Sequence, residues 1–252
     1  MKYFNLILIL FGQIIFAQNL SNNLSGEYET KAKDTLYPYL IFDGNGMVDI
    51  SGYKSYPFFE RNDSVIILVD KSPFVLKKNK EELIGITDWI EGNKYKSKSK
   101  NKSTSTSNLE TATLYSTFYD VNYTRTKSLF DDNLSENDLQ KIMNNLFTEN
   151  EKLCNKNLDI ACVQTFSLKL TEDIGGIESA LSLSEDFEMK PNVYFENLGN
   201  KIISLGNAEG YGLLATYYTL IRDKEKTDKI LEKGLEEGCE MCLTISLQNM
   251  EE

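Results

Sequence analysis

The apolar residues of this chain keep one spacing up to about residue 96 and another beyond residue 107. In the first stretch they fall in short runs broken by turn formers. YLIFDGNGMVDI (39–50) sets Asp43-Gly44-Asn45-Gly46 between two apolar runs, and Gly and Asn tolerate the positive φ that a tight hairpin requires. VIILVD (65–70) is β-branched and apolar, and FVLKKNKEELIGI (74–86) reads as two strands turning at Lys78–Lys80. LSGEYETK (24–31) and NKYKSK (93–98) bring the total to roughly seven or eight short strands. Short strands with tight turns predict an antiparallel β meander or small barrel over 18–95.

KSKSKNKSTSTS (96–107) contains only Lys, Asn, Ser and Thr, so it has nothing to bury and reads as a solvated tether. Its four lysines offer the alternative of a local anionic contact. Beyond it the period turns helical. Ser135 stands three residues before Asp138, a capping-box variant, and Leu139, Ile142, Met143 and Leu146 follow at helical spacing. Asp131-Asp132-Asn133 reads as the loop into that helix. LDIACVQTFSLKL, IESALSLSEDFEM, NVYFENLGNKIISL, AEGYGLLATYYTLI, KEKTDKILEKGLEEG and CEMCLTISLQNM are further helix-length stretches, punctuated at Pro191, Gly206-Asn207 and Gly238. Such helices with short joins pack as antiparallel hairpins, so 108–252 is expected to be an α-helical hairpin domain. The expected fold class is α+β in two parts.

Residues 1–17 are expected to be a signal peptide. Lys2 precedes an apolar run from Tyr3 to Ala17 that is short for a bilayer span and ends at a small residue. An uncleaved anchor is the alternative. No Cys follows the run, so lipid attachment finds no support. The expected product is exported, periplasmic or extracellular, with no membrane span after cleavage, and export permits disulfides. The Ala17-Gln18 junction and the Asn/Lys/Ile-rich style resemble exported proteins of Bacteroidetes-type bacteria.

Composition removes whole classes of chemistry. There is no histidine, which excludes Ser-His-Asp and Cys-His catalysis and histidine-ligated zinc. With 27 basic against 38 acidic residues the net charge is −11, which speaks against a nucleic-acid partner. Residues 108–252 hold 26 acidic and 13 basic residues, so the acidity sits in the helical part and would steer a basic partner toward it. Asp43-Gly-Asn-Gly lacks the ligand ladder of a calcium loop and reads as a turn. Carboxylates are abundant, but nothing singles out a glycosidase pair. Cys239-Glu240-Met241-Cys242 is a C-x-x-C string just after Gly238. A structural disulfide, idle thiols and a redox or metal pair are its three readings. The thioredoxin context of a preceding Trp and a βαβ pattern is missing. No catalytic residue, metal ligand or cofactor is assigned.

Leu24-Ser25-Gly26-Glu27-Tyr28, Phe42-Asp43-Gly44-Asn45-Gly46 and Leu83-Ile84-Gly85 resemble the outline of small lipocalin-like domains of exported bacterial proteins. The resemblance implies a barrel able to hold an apolar ligand. AEGYGLLATYYTLIRDKEKTDKILEKGLEEG (208–238) resembles one tetratricopeptide-type repeat. Its first helix carries Ala208, Gly212, Ala215 and Tyr218, a turn lies at Arg222-Asp223, and its second helix points Ile230, Leu231 and Leu235 inward. The cysteine-rich secreted branch of that family places one Cys late in a second helix and another early in the next. Cys154 and Cys162 match, and the resemblance implies that they are bridged. ACVQTFSL (161–168) echoes MCLTISL (241–247), which makes Cys162 and Cys242 equivalent and leaves Gly234 in the partner position, with only Cys239 nearby. The stretch 174–206 fits the repeat poorly.

Members of the family bind peptides or proteins in a concave groove, which implies a non-catalytic binding role here. Tyr211, Tyr217 and Tyr218 are the candidate binding surface, with core packing as their alternative. A carrier of a small apolar ligand and a thiol-disulfide oxidoreductase at Cys239 and Cys242 are the other functional readings.

Overall fold

The computed structural model describes residues 19–33, 35–69, 72–98, 108–124, 135–176, 179 and 187–248. The expected signal segment, residues 99–107 of the tether, Asp131-Asp132-Asn133 and most of IESALSLSEDFEM lie outside these. Two compact units divide between Tyr123 and Thr124.

The first unit holds β1 (Leu20–Ser21), β2 (Ser25–Thr30), β3 (Tyr39–Asp43), β4 (Met47–Ile50), β5 (Lys54–Arg61), β6 (Ser64–Ile67), β7 (Phe74–Asn79), β8 (Glu82–Gly85) and β9 (Lys94–Ser97). Each strand from β2 to β9 pairs antiparallel with the next, and β9 returns to β2 through Tyr28↔Ser97 and Thr30↔Tyr95. Eight strands therefore close into an up-and-down barrel, with β1 added beside β5. Closure leaves the barrel without free sheet edges. β9 takes in Lys96 and Ser97, so the tether begins later than its composition suggested.

The expected hairpin forms between β3 and β4. The Asp43 carboxylate accepts the amides of Asn45 (2.7 Å) and Met47 (2.9 Å), while Gly44 and Gly46 take φ of 82° and 96°. Strand alternation sends Leu40, Phe42, Val48, Ile50, Phe58 and Leu76 inside, where they are almost fully buried. Ile90, on a 3-10 turn after β8, joins the same core. That turn crosses so close to Gly85 that a Cβ there would collide with the Ile90 carbonyl.

Phe59 and its cross-strand neighbour Ile66 face out of the barrel, yet both are buried. Helix α1 (Leu109–Tyr119) lies against β5 and β1. Its Tyr119 ring meets Phe59 edge-on at 5.9 Å, and Arg61 sits over both rings while pairing with Asp120 at 2.8 Å. This corrects the domain boundary: α1, expected in the helical part, belongs to the β unit because it covers an apolar outer face of β5.

The second unit contains α2 (Glu136–Asn155), α3 (Asp159–Asp173), α4 (Val193–Ser204), α5 (Glu209–Leu220), α6 (Lys224–Glu236) and α7 (Glu240–Gln248). Ser135 caps α2 as its spacing predicts, its hydroxyl accepting the Asp138 amide. Among the described residues the helices form three hairpins, α2–α3, α4–α5 and α6–α7. Contacts of α5 with both α3 and α7 set those three helices in one row. Each hairpin turns through one left-handed residue, Asn157, Gly206 or Gly238. The next amide closes each turn onto a carbonyl five residues back: Leu158 to Leu153, Asn207 to Ile202 and Cys239 to Gly234. On α6 the inward row is Thr227, Leu231 and Gly234, and Leu235, expected inside, is exposed.

Candidate functional site

The four cysteines form two bridges, Cys154–Cys162 with Cα atoms 4.6 Å apart and Cys239–Cys242 with Cα atoms 5.3 Å apart. The first joins the end of α2 to the start of α3 around a nine-residue turn. The Lys201 ammonium of α4 donates to the Cys154 carbonyl at 2.8 Å, a second bond on an oxygen that also accepts the Asn157 amide at 2.8 Å. The second bridge lies within the entry to α7, where Cys239 Sγ accepts the Cys242 amide. All four cysteines are buried. Cys242 Sγ rests against Gly234, where any side chain would collide with it and come within 2.8 Å of the Tyr211 Cβ.

A helix N-terminus favours a thiolate, but exchange chemistry needs a sulfur that an incoming thiol can reach in line. Cys239 and Cys242 are at most 2% exposed. The geometry thus fits two structural staples and gives the oxidoreductase reading no accessible sulfur. The two bridges are also not equivalent. Their turn hydrogen bonds match Leu158 with Cys239, so Cys242 corresponds to Ala161 and not to Cys162. The sequence echo is one residue out of register.

Two of the three candidate surface tyrosines, Tyr217 and Tyr218, are packed inside. Tyr217 is buried, stacks on Phe195 at 5.1 Å, and its hydroxyl accepts the Asn192 amide (2.8 Å) and donates to the Asn192 carbonyl (3.1 Å). Tyr218 is buried beneath the Lys226 ammonium, 5.1 Å from the ring centre, and burial beside the Glu196 carboxylate raises its pKa. Lys226 itself is held protonated by its 2.8 Å bond to Glu196. Tyr211 is half-buried against α6. The Tyr217 and Tyr218 rings thus fill space between helices.

In the β unit, Glu60 is a buried carboxylate that the sequence reading passed over. It accepts from the Ser21 hydroxyl (2.8 Å) and the Leu24 amide (3.1 Å) and pairs with the Lys78 ammonium. Burial, with Glu60 second, raises the Tyr28 pKa. Strand alternation held the signal, since Phe58 points inside and Glu60 therefore does too. With partners from β1, the segment before β2 and β7, this carboxylate fastens the chain's entry to the barrel. Packed apolar side chains and Tyr95 line the interior beside it. Among the described residues no group of His, Cys, Asp or Glu is arranged to hold a metal ion, and no helix is long and apolar enough to cross a membrane.

No protein family, curated protein or solved structure matches the chain.

Proposed function

We propose that this is an exported, non-catalytic scaffold whose helical unit binds a protein or peptide. The observation that carries the reading is the stacking of three hairpins in one direction with α3, α5 and α7 in a row, an arrangement like that of tetratricopeptide repeats. Buried disulfides are compatible with an oxidising compartment and support export. The excess of 26 acidic over 13 basic residues in 108–252 favours a basic partner.

Selection of displayed peptides on the full chain, followed by titration calorimetry, tests the proposal. The expected result is a saturable ligand rich in Lys or Arg whose affinity falls with salt. Enrichment no greater than on unfolded protein would sink it. So would disulfide-reductase activity that vanishes in a Cys239→Ser/Cys242→Ser variant.

A further inference from the structure

The three hairpins can be compared position by position from the amide that closes each turn, Leu158, Asn207 or Cys239. In the first hairpin, Cys154 lies four residues before that amide, and Cys162 and Phe166 lie four and eight after it. All three are buried, and α4 covers them: Phe195 meets Phe166 at 5.1 Å, Leu198 and Ile202 share the same core, and Lys201 bonds the Cys154 carbonyl. In the second hairpin the two positions after the amide are Tyr211 and Ala215, packed beneath α6 at Leu231 and Gly234.

In the third hairpin the corresponding residues are Leu235, Leu243 and Leu247. They are 43%, 52% and 54% exposed. The seat that twice receives a helix is thus present a third time, lined with leucine and open.

Charge identifies the occupant. From 234 to 243 the third turn carries Glu236, Glu237 and Glu240 and no basic residue, whereas the first, from 153 to 162, balances Lys156 against Asp159. A second copy fits poorly. Symmetric pairing of two such turns would bring their glutamates together. Head-to-tail stacking would offer α2, whose counterpart stripe is Leu146, Glu149 and Leu153, with both leucines already buried and a further acid between them.

We infer that Leu235, Leu243 and Leu247 seat a cationic amphipathic helix of a second protein. That helix presents apolar residues at i, i+3 and i+7, as Phe195, Leu198 and Ile202 do on α4. Its basic flank lies against Glu236 and Glu237, and a Lys one residue before the last apolar position reaches the Leu235 carbonyl, as Lys201 reaches that of Cys154. The inference rests on the binding role proposed above and specifies its partner and surface.

The probe is a labelled 16-residue peptide with Phe, Leu and Ile at that spacing in an Ala/Lys background, titrated against the full chain by fluorescence anisotropy. Saturable binding is expected. It should weaken at least about tenfold with Leu243→Glu/Leu247→Glu, at unchanged thermal unfolding. A similar loss is expected when the peptide's lysines become glutamates or its apolar spacing is scrambled. Glu236→Gln/Glu237→Gln reads the same contact without touching the leucines and should weaken binding severalfold, with a shallower salt dependence. No binding, or equal binding to both double variants, overturns the inference. A dimer in sedimentation that Leu243→Glu/Leu247→Glu dissociates also overturns it, by giving the seat to a second copy. Peptides selected by display that still bind Leu243→Glu/Leu247→Glu would leave the scaffold reading standing and remove only this seat.

Discussion

The two units differ in how they end. The barrel closes: β9 returns to β2, each of its eight strands is paired on both sides, and apolar side chains from its strands share one buried core. The described helices of the second unit leave an apolar face exposed. The surface that α4 covers on the first hairpin and α6 on the second is bare on the third, at Leu235, Leu243 and Leu247. A closed sheet meets its own hydrogen-bonding demand, whereas stacked hairpins each bury a face only by receiving a neighbour.

The sharpest challenge to that contrast is in the barrel core. Phe58→Ala removes a fully buried ring from the closed interior and should destabilise it by roughly 3–5 kcal/mol. Denaturant titration followed by hydrogen exchange of the β5 and β6 amides reads the loss in this unit. A change below about 1 kcal/mol would mean the interior is not packed as described.

Next in size is the staple of the first helical turn. Cys154→Ser/Cys162→Ser opens a short covalent loop and should lower helical-unit stability by about 2.5 kcal/mol on the chain-entropy account. Helical circular dichroism in urea checks it, and unchanged stability would show that α4 alone holds that turn.

The smallest effect is one in which the two units behave alike. Tyr28 and Tyr95 in the barrel, and Tyr194 and Tyr218 in the stack, all have pKa values raised above 10.0, chiefly by burial. In the unfolded chain these phenols ionise first, so stability present below pH 10 is lost as pH rises through the folded values. Without histidine, stability should stay nearly level from about pH 6 to 9. Melting temperatures across pH 6–11 test both statements, and a step between pH 6 and 8 would contradict them.

Much of the fold was legible because its determinants are local. The Asp43–Gly46 turn, the Ser135 cap and the exits at Gly206 and Gly238 are chosen by backbone sterics and by side chains bonding to nearby amides, and such preferences act within a few residues. The position of α1 was not legible in its own residues. Its signal lay in β5, where Phe58 and Phe59 are adjacent and apolar, so that strand needed cover on both faces. Small and aromatic residues along α5 read equally as a lining or as packing. Their burial was fixed only when α4 and α6 closed over Tyr217 and Tyr218.

By itself, then, the sequence determined the two periods, the turns, the missing chemistry of histidine and the acidity of the helical part. Tertiary structure decided that β2 and β9 meet, that Glu60 is enclosed, that the turn hydrogen bonds match Leu158 with Cys239, and that Leu235, Leu243 and Leu247 stay exposed. The reason is physical. A turn or cap is settled by atoms a few bonds away, but burial is a property of two surfaces, and nothing in one of them states when the other will arrive.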